Sequence, residues 1–290
     1  MEKKAGFVTC VRLGLSCIEE IYRLGGSLEV IFTLEDSMAR GKSGRVYLDE
    51  FAENHGIPLI KIRHINEEAV RQEIRKRELD WLFIIGWSQI AGRHILDAPG
   101  LGCIGMHPTL LPKGRGRASV PWAILKGLPE TGVTMFRLDE GVDTGDVIAH
   151  ETIPMHENIT ATELYEKVNR AHIELIRKNW GRITDGTVIF KRQDESQATQ
   201  RPGRRPEDGR ITENMRVEEA LRLIRAVTHP YPGAFYDDRD RRWRIWSACE
   251  AGQGLRLRDG WIRPLEYEIE EHEIEECDGA EKDRKEVGTG

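Results

Sequence analysis

Four short runs, AGFVTC, SLEVIFTL, IPLIKI and WLFIIGW, are apolar almost throughout, and an amphipathic stretch separates each from the next. A strand with one face in water alternates polar and apolar residues. A strand without alternation needs cover on both faces, as in a parallel sheet clad in helices. The stretches between have the helical period. In SCIEEIYRLG, residues Cys17, Ile18, Ile21 and Leu24 share a face, YLDEFAENHG closes at Gly56, and EEAVRQEIRKRELD is amphipathic. The strand–helix order predicts an open parallel α/β sheet.

In such sheets, ligands lie beyond the carboxyl ends of the strands. GWSQI (Gly86 to Ile90) follows one strand, GCIGMH ends at His107, and TGVTMFRL ends at the turn DEGVDTGD. Three strand exits of this kind predict one cleft, with His107 and Asp143 as neighbours. TATELYEKVNRAHIELIRKNWGRI reads as a long helix with a threonine cap and Glu163 placed for a capping box. The predicted domains are 1–192, a Pro/Gly/Arg-rich linker at 193–209, a small β-rich C-terminal unit at 210–268, and a charged, disordered tail at 269–290.

The net charge of −6 gives no overall attraction to nucleic acid or an anionic membrane. No apolar run approaches the roughly 20 residues of a membrane helix, and the start lacks a cleavage signal, so mature cytoplasmic protein is expected. The five cysteines are scattered, with no C-x-x-C pair, which predicts reduced thiols and no metal site.

Histidine is the side-chain type suited to proton transfer near neutral pH, and at His107 the following Pro108 stiffens the chain. Asp143, between glycines in GVDTG, reads either as a turn residue or as the carboxylate that orients His107. Asp139, Glu140 and Asp146 are competing acids. KGRGR (Lys113 to Arg117) is either a solvated loop or an anion contact. RGKSGR lacks the spacing of a phosphate loop, and RLGLSC reads as a turn without the dinucleotide fingerprint.

MHPTLLPKGRG followed by ETGVTMFRLDEGVDTGDVI resembles the signature of the folate-dependent formyltransferases, over most of the span from Ala5 to about Arg192. RRPEDGRI and LIRAVTHPYPGAF resemble the segment that follows the catalytic domain in sugar-acting and tRNA-acting members. The resemblance implies a Rossmann-like fold, 10-formyltetrahydrofolate as co-substrate, and a primary amine as acceptor. His107 and Asp143 match the catalytic pair. Gly86, Trp87, Ser88, Gln89, Leu110, Leu111, Asp139 and Glu140 match the folate-binding segments. A nucleotide-linked amino sugar is the first expectation for the acceptor. Methionyl-tRNA and a small metabolite amine are the alternatives, and a homodimer is allowed.

One departure stands out. The family reads N-x-H where this chain has Gly105-Met106-His107. Loss of an oxyanion donor costs roughly 3 kcal/mol. A different donor could replace it, another residue could enter the site, or the chain could be a formyltetrahydrofolate hydrolase or a weakened folate-binding protein.

Overall fold

The computed structural model describes residues 2–38, 44–238 and 241–271. The loop ARGKSGR thus falls mostly outside the described residues, as do Cys277 and the tail from 272 onward. The first half is built from β1 (Ala5–Val8), α1 (Arg12–Arg23), β2 (Val30–Leu34), α2 (Asp49–His55), β3 (Leu59–Ile62), α3 (Glu68–Lys76), β4 (Trp81–Ile84) and α4 (Arg93–Leu96). Next come β5 (Gly102–His107), β6 (Arg115–Gly116), α5 (Ser119–Leu125), β7 (Glu130–Arg137), β8 (Val147–Pro154) and α6 (Ala161–Thr184).

Strands β3-β2-β1-β4-β5-β7-β8 form one sheet in that order. The first five are parallel, as the apolar runs predict. Successive side chains point to opposite faces. Phe7, Ile31 and Phe83 therefore join the core on one side, while Val8, Phe32 and Ile84 join a second core on the other, with Val70 and Ile74 of α3.

The sheet is mixed rather than wholly parallel. β7 runs antiparallel to β5, with Ile104 opposite Arg137 and His107 opposite Thr134. Its carboxyl end therefore lies at the opposite end of the sheet from His107. The loop after it must fold back to bring Asp143 to the histidine. A second difference concerns α1, which starts at Arg12, so RLGLSC is helix and not turn. Gly14 makes this possible, because a Cβ there would lie 1.9 Å from Thr9 Oγ1.

Thr160 caps α6 by accepting from the Glu163 amide. The reciprocal half of the capping box is replaced, because the Glu163 carboxylate binds His156 and Lys167 instead. After α6 come β9 (Gln200–Arg201), α7 (Val217–Val227), β10 (Ala234–Asp238), β11 (Arg241–Ala251), β12 (Leu255–Arg256) and β13 (Trp261–Glu271). The last four strands form an antiparallel sheet, and α7 packs between it and α5. β13 runs to Glu271, so the tail expected from 269 begins as strand.

Candidate active site

The order 3-2-1-4-5 reverses direction between β1 and β4, and the exits of those strands open the crevice where such sheets bind ligands. Gly86, at the β4 exit, has φ of 68°, and a Cβ there would lie 2.3 Å from Val11 Cγ2. Only glycine lets the two exits approach so closely.

His107 ends β5, the next strand, and is 7% exposed. Its Nε2 lies 3.0 Å from the Gly114 carbonyl oxygen. A carbonyl only accepts, so Nε2 carries a hydrogen and donates it. That leaves Nδ1 as the nitrogen able to take or release a proton, and Asp143 Oδ2 is 3.4 Å from it. The same Oδ2 accepts from the Gly116 amide at 2.8 Å. Asp143 has φ of 57°, the left-handed region that aspartate tolerates between glycines. The structure thus brings His107 and Asp143 together.

Residues of the expected linker hold this loop. Gln193, 6% exposed, donates from Nε2 to the carbonyls of Asp143 (2.9 Å) and Gly145 (2.7 Å). Its Oε1 accepts from Arg115, which is itself 4% exposed and bound to Glu195. Arg115 is therefore a buried brace and neither a solvated loop residue nor an anion contact. β9 pairs with β6 directly behind Gly116. Sequence reasoning missed Gln193 because glutamine in a polar segment looks solvated. The run of glycine-flanked carbonyls at 141–145, which need donors once buried, is the signal that could have found it.

The other expected residues divide. Asp139 and Glu140 line a polar cavity of about 380 Å³ with Arg93, Arg137, Leu138 and Asp146. Asp139 Oδ1 accepts from the Gly141 amide and the Thr144 hydroxyl. Gln89 ties its loop to the β3 exit, accepting from the Ile65 amide and donating to the Arg63 carbonyl. Trp87 packs against both cores, while Ser88 is exposed. Leu110 and Leu111 line a different cavity, described below. Leu111 is held there by a 3.0 Å bond from its amide to Thr134 Oγ1.

Gly105 and His107 share a face of β5. A Cβ at Gly105 would lie 2.6 Å from Leu138 Cδ2. The Leu138 side chain thus fills the space that a side chain at 105 would use. His172 of α6, fully buried, donates from Nδ1 to the Val168 carbonyl. Burial pushes its pKa down to about 4, with a smaller push from His107, so it stays neutral near neutral pH.

Residues 40–178 match the formyl transferase family, and residues 204–260 match the formyl transferase C-terminal domain. The chain is 34% identical over 233 residues to the methionyl-tRNA formyltransferase of Agathobacter rectalis, spanning 80% of this chain and 75% of that one. The solved methionyl-tRNA formyltransferase from Clostridium thermocellum shares the fold with a TM-score of 0.65 at 17% identity, over 93% of this chain and 99% of that one. The Helicobacter canadensis N-formyltransferase, solved with folinic acid and dTDP-3-aminofucose, gives 0.64 at 20% identity, over 87% and 90%. Fold and matched segments together define a folate-dependent one-carbon transferase. The chain belongs to the formyl transferase family.

Proposed function

We propose that the chain moves a formyl group from 10-formyltetrahydrofolate to a primary amine, with His107 and Asp143 as the reacting pair. The observation that carries this is the 3.4 Å approach of Asp143 Oδ2 to His107 Nδ1, with Nε2 already committed to Gly114. The polar cavity beside the Asp143 loop suits the donor's ring. Its volume takes a bicyclic heterocycle, and the acidic residues of its lining, Asp97, Asp139, Glu140 and Asp146, suit ring N–H groups. When bound, the donor supplies an activated formyl carbon.

The chain's own residues manage the proton. The attacking amine must lose one, and Nδ1 is the nitrogen free to collect it. Asp143 holds the ring and offsets the positive charge that forms there. Gly114, on the other side, fixes the ring plane. Leu138, over Gly105, keeps water off that flank. With no side chain at 105, backbone amides or the protonated ring take the place of an asparagine donor.

For the acceptor we favour a nucleotide-linked amino sugar, supported by the RPEDG and PYPGAF segments and the net charge of −6. The second reading is methionyl-tRNA, favoured by the 34% identity to a relative of that name. In either reading the catalytic unit is 1–192, with 193–209 as a linker and 210–268 as an accessory domain. The test incubates the protein with 10-formyltetrahydrofolate and either methionyl-tRNA or a panel of nucleotide-linked amino sugars, with products read by mass spectrometry. A formylated sugar nucleotide supports the first reading, formylmethionyl-tRNA supports the second, and donor loss without any amine overturns both.

A further inference from the structure

His107, Thr134 and His150 are direct cross-strand partners on β5, β7 and β8. Residues paired in this way point to the same face of the sheet. The three therefore form one row, with the reacting histidine at one end and a second histidine at the other. We infer that His150 is a positioning residue for His107, acting through Thr134 and the loop that follows β5. The inference rests on His107 being the group that moves the proton.

Hydrogen bonds join the row by way of the loop. His150 Nε2 lies 3.0 Å from the Leu111 carbonyl oxygen. A carbonyl only accepts, so this nitrogen carries a hydrogen and donates it. The Leu111 amide donates to Thr134 Oγ1 at 3.0 Å, and the same hydroxyl donates to the Thr109 carbonyl at 2.6 Å. The Thr109 amide in turn donates to the His107 carbonyl at 2.8 Å. Gly132, on the same face as Thr134, lets the loop lie close to β7, because a Cβ there would be 2.4 Å from Leu110 Cδ2. These contacts also fix Leu110 and Leu111 in the wall of their cavity, whose volume is about 580 Å³.

The loop is tied to the histidine at two places. Thr109 holds the His107 backbone, and the Gly114 carbonyl holds the ring at Nε2. Leu111 lies between them, and its carbonyl is the group His150 grips. Thr134 is fully buried, whereas His150 is exposed. A substitution at 150 therefore removes one anchor of the loop without opening a cavity in the core.

The test compares the parent with His150→Phe, which has no donor, and His150→Gln, whose amide can still donate to Leu111. His150→Phe should lower kcat about fivefold to tenfold and change the donor KM less than about twofold. His150→Gln should restore the rate to within about twofold of the parent. Thr134→Val, which keeps the shape and loses the hydroxyl, should lower kcat by about tenfold or more. In a ¹H–¹⁵N spectrum of the free protein, the His107 ring signals should move in His150→Phe and stay in place in His150→Gln. A parental rate in His150→Phe, or equal losses in the Phe and Gln variants, overturns the role of His150. A parental rate in Thr134→Val overturns the route through the loop. The spectrum needs no acceptor and no turnover. Ring signals that move as expected in a chain that formylates no amine would therefore support the positioning and overturn the transfer reading alone. Should His150→Phe fail to fold, His150→Ala takes its place, with the same loss expected.

Discussion

A histidine becomes useful when its neighbours decide which nitrogen is free. At His107 the Gly114 carbonyl takes Nε2, and Asp143 faces Nδ1. The residue-scale question is Gly105. Leu138 Cδ2 would lie 2.6 Å from an added Cβ, so the chain has filled the asparagine's place with a hydrocarbon. Gly105→Asn alone should therefore cost roughly 1–3 kcal/mol through overpacking and lower the rate. Adding Leu138→Ala should recover stability, because the space is then available. Thermal unfolding and turnover of the two variants check this. A single variant as stable as the parent would show that Leu138 does not fill the site.

At the scale of elements, the approach of Asp143 to His107 depends on how loops are held. Gln193 bonds the carbonyls of Asp143 and Gly145. Gln193→Ala leaves two buried acceptors unmatched and should cost about 1–3 kcal/mol. Because Asp143 then loses its brace, kcat should fall more than donor affinity does. Equal losses in both would assign Gln193 a purely structural role. The five parallel strands and the helices α1 to α3 between the first four were legible, because an apolar run or a helical period is a local signal, whereas the single turn of α4 was too short to show one. That His107 and Asp143 are neighbours was legible through their motif. The reversal of β7 was not, since TGVTMFRL reads the same in either direction. Nor was the brace, because a linker's polar residues look alike whether they face water or buried carbonyls.

At the scale of the whole molecule, two buried groups contribute to the pH dependence of stability. Hydrogen bonding to Arg23, and then contact with Arg177, holds Glu20 at a pKa of about 2, joining α1 to α6. A lowered carboxylate contributes stability that is complete above the ordinary value of 4.5 and is lost as pH falls toward 2. His172 is lowered from 6.5 to about 4, so its neutral form also favours folding above 6.5, and that contribution declines as pH falls to 4. Stability should thus fall in two stages on acidification. Glu20→Gln should remove its share of the lower stage, on the order of 2 kcal/mol. Denaturant unfolding at stepped pH tests this, and a variant with the parent's acid profile would refute it.

The proposed transfer rests on Asp143 acting with His107 on a formyl group bound for an amine. The most direct measurement compares single-turnover formyl transfer in the parent, Asp143→Asn and His107→Ala, with donor binding followed separately. The expected result is a loss of about a hundredfold or more in the transfer rate of each variant, with donor affinity little changed and consumption that requires the acceptor. Near-parental transfer by either variant, or equal consumption without an amine, would contradict it.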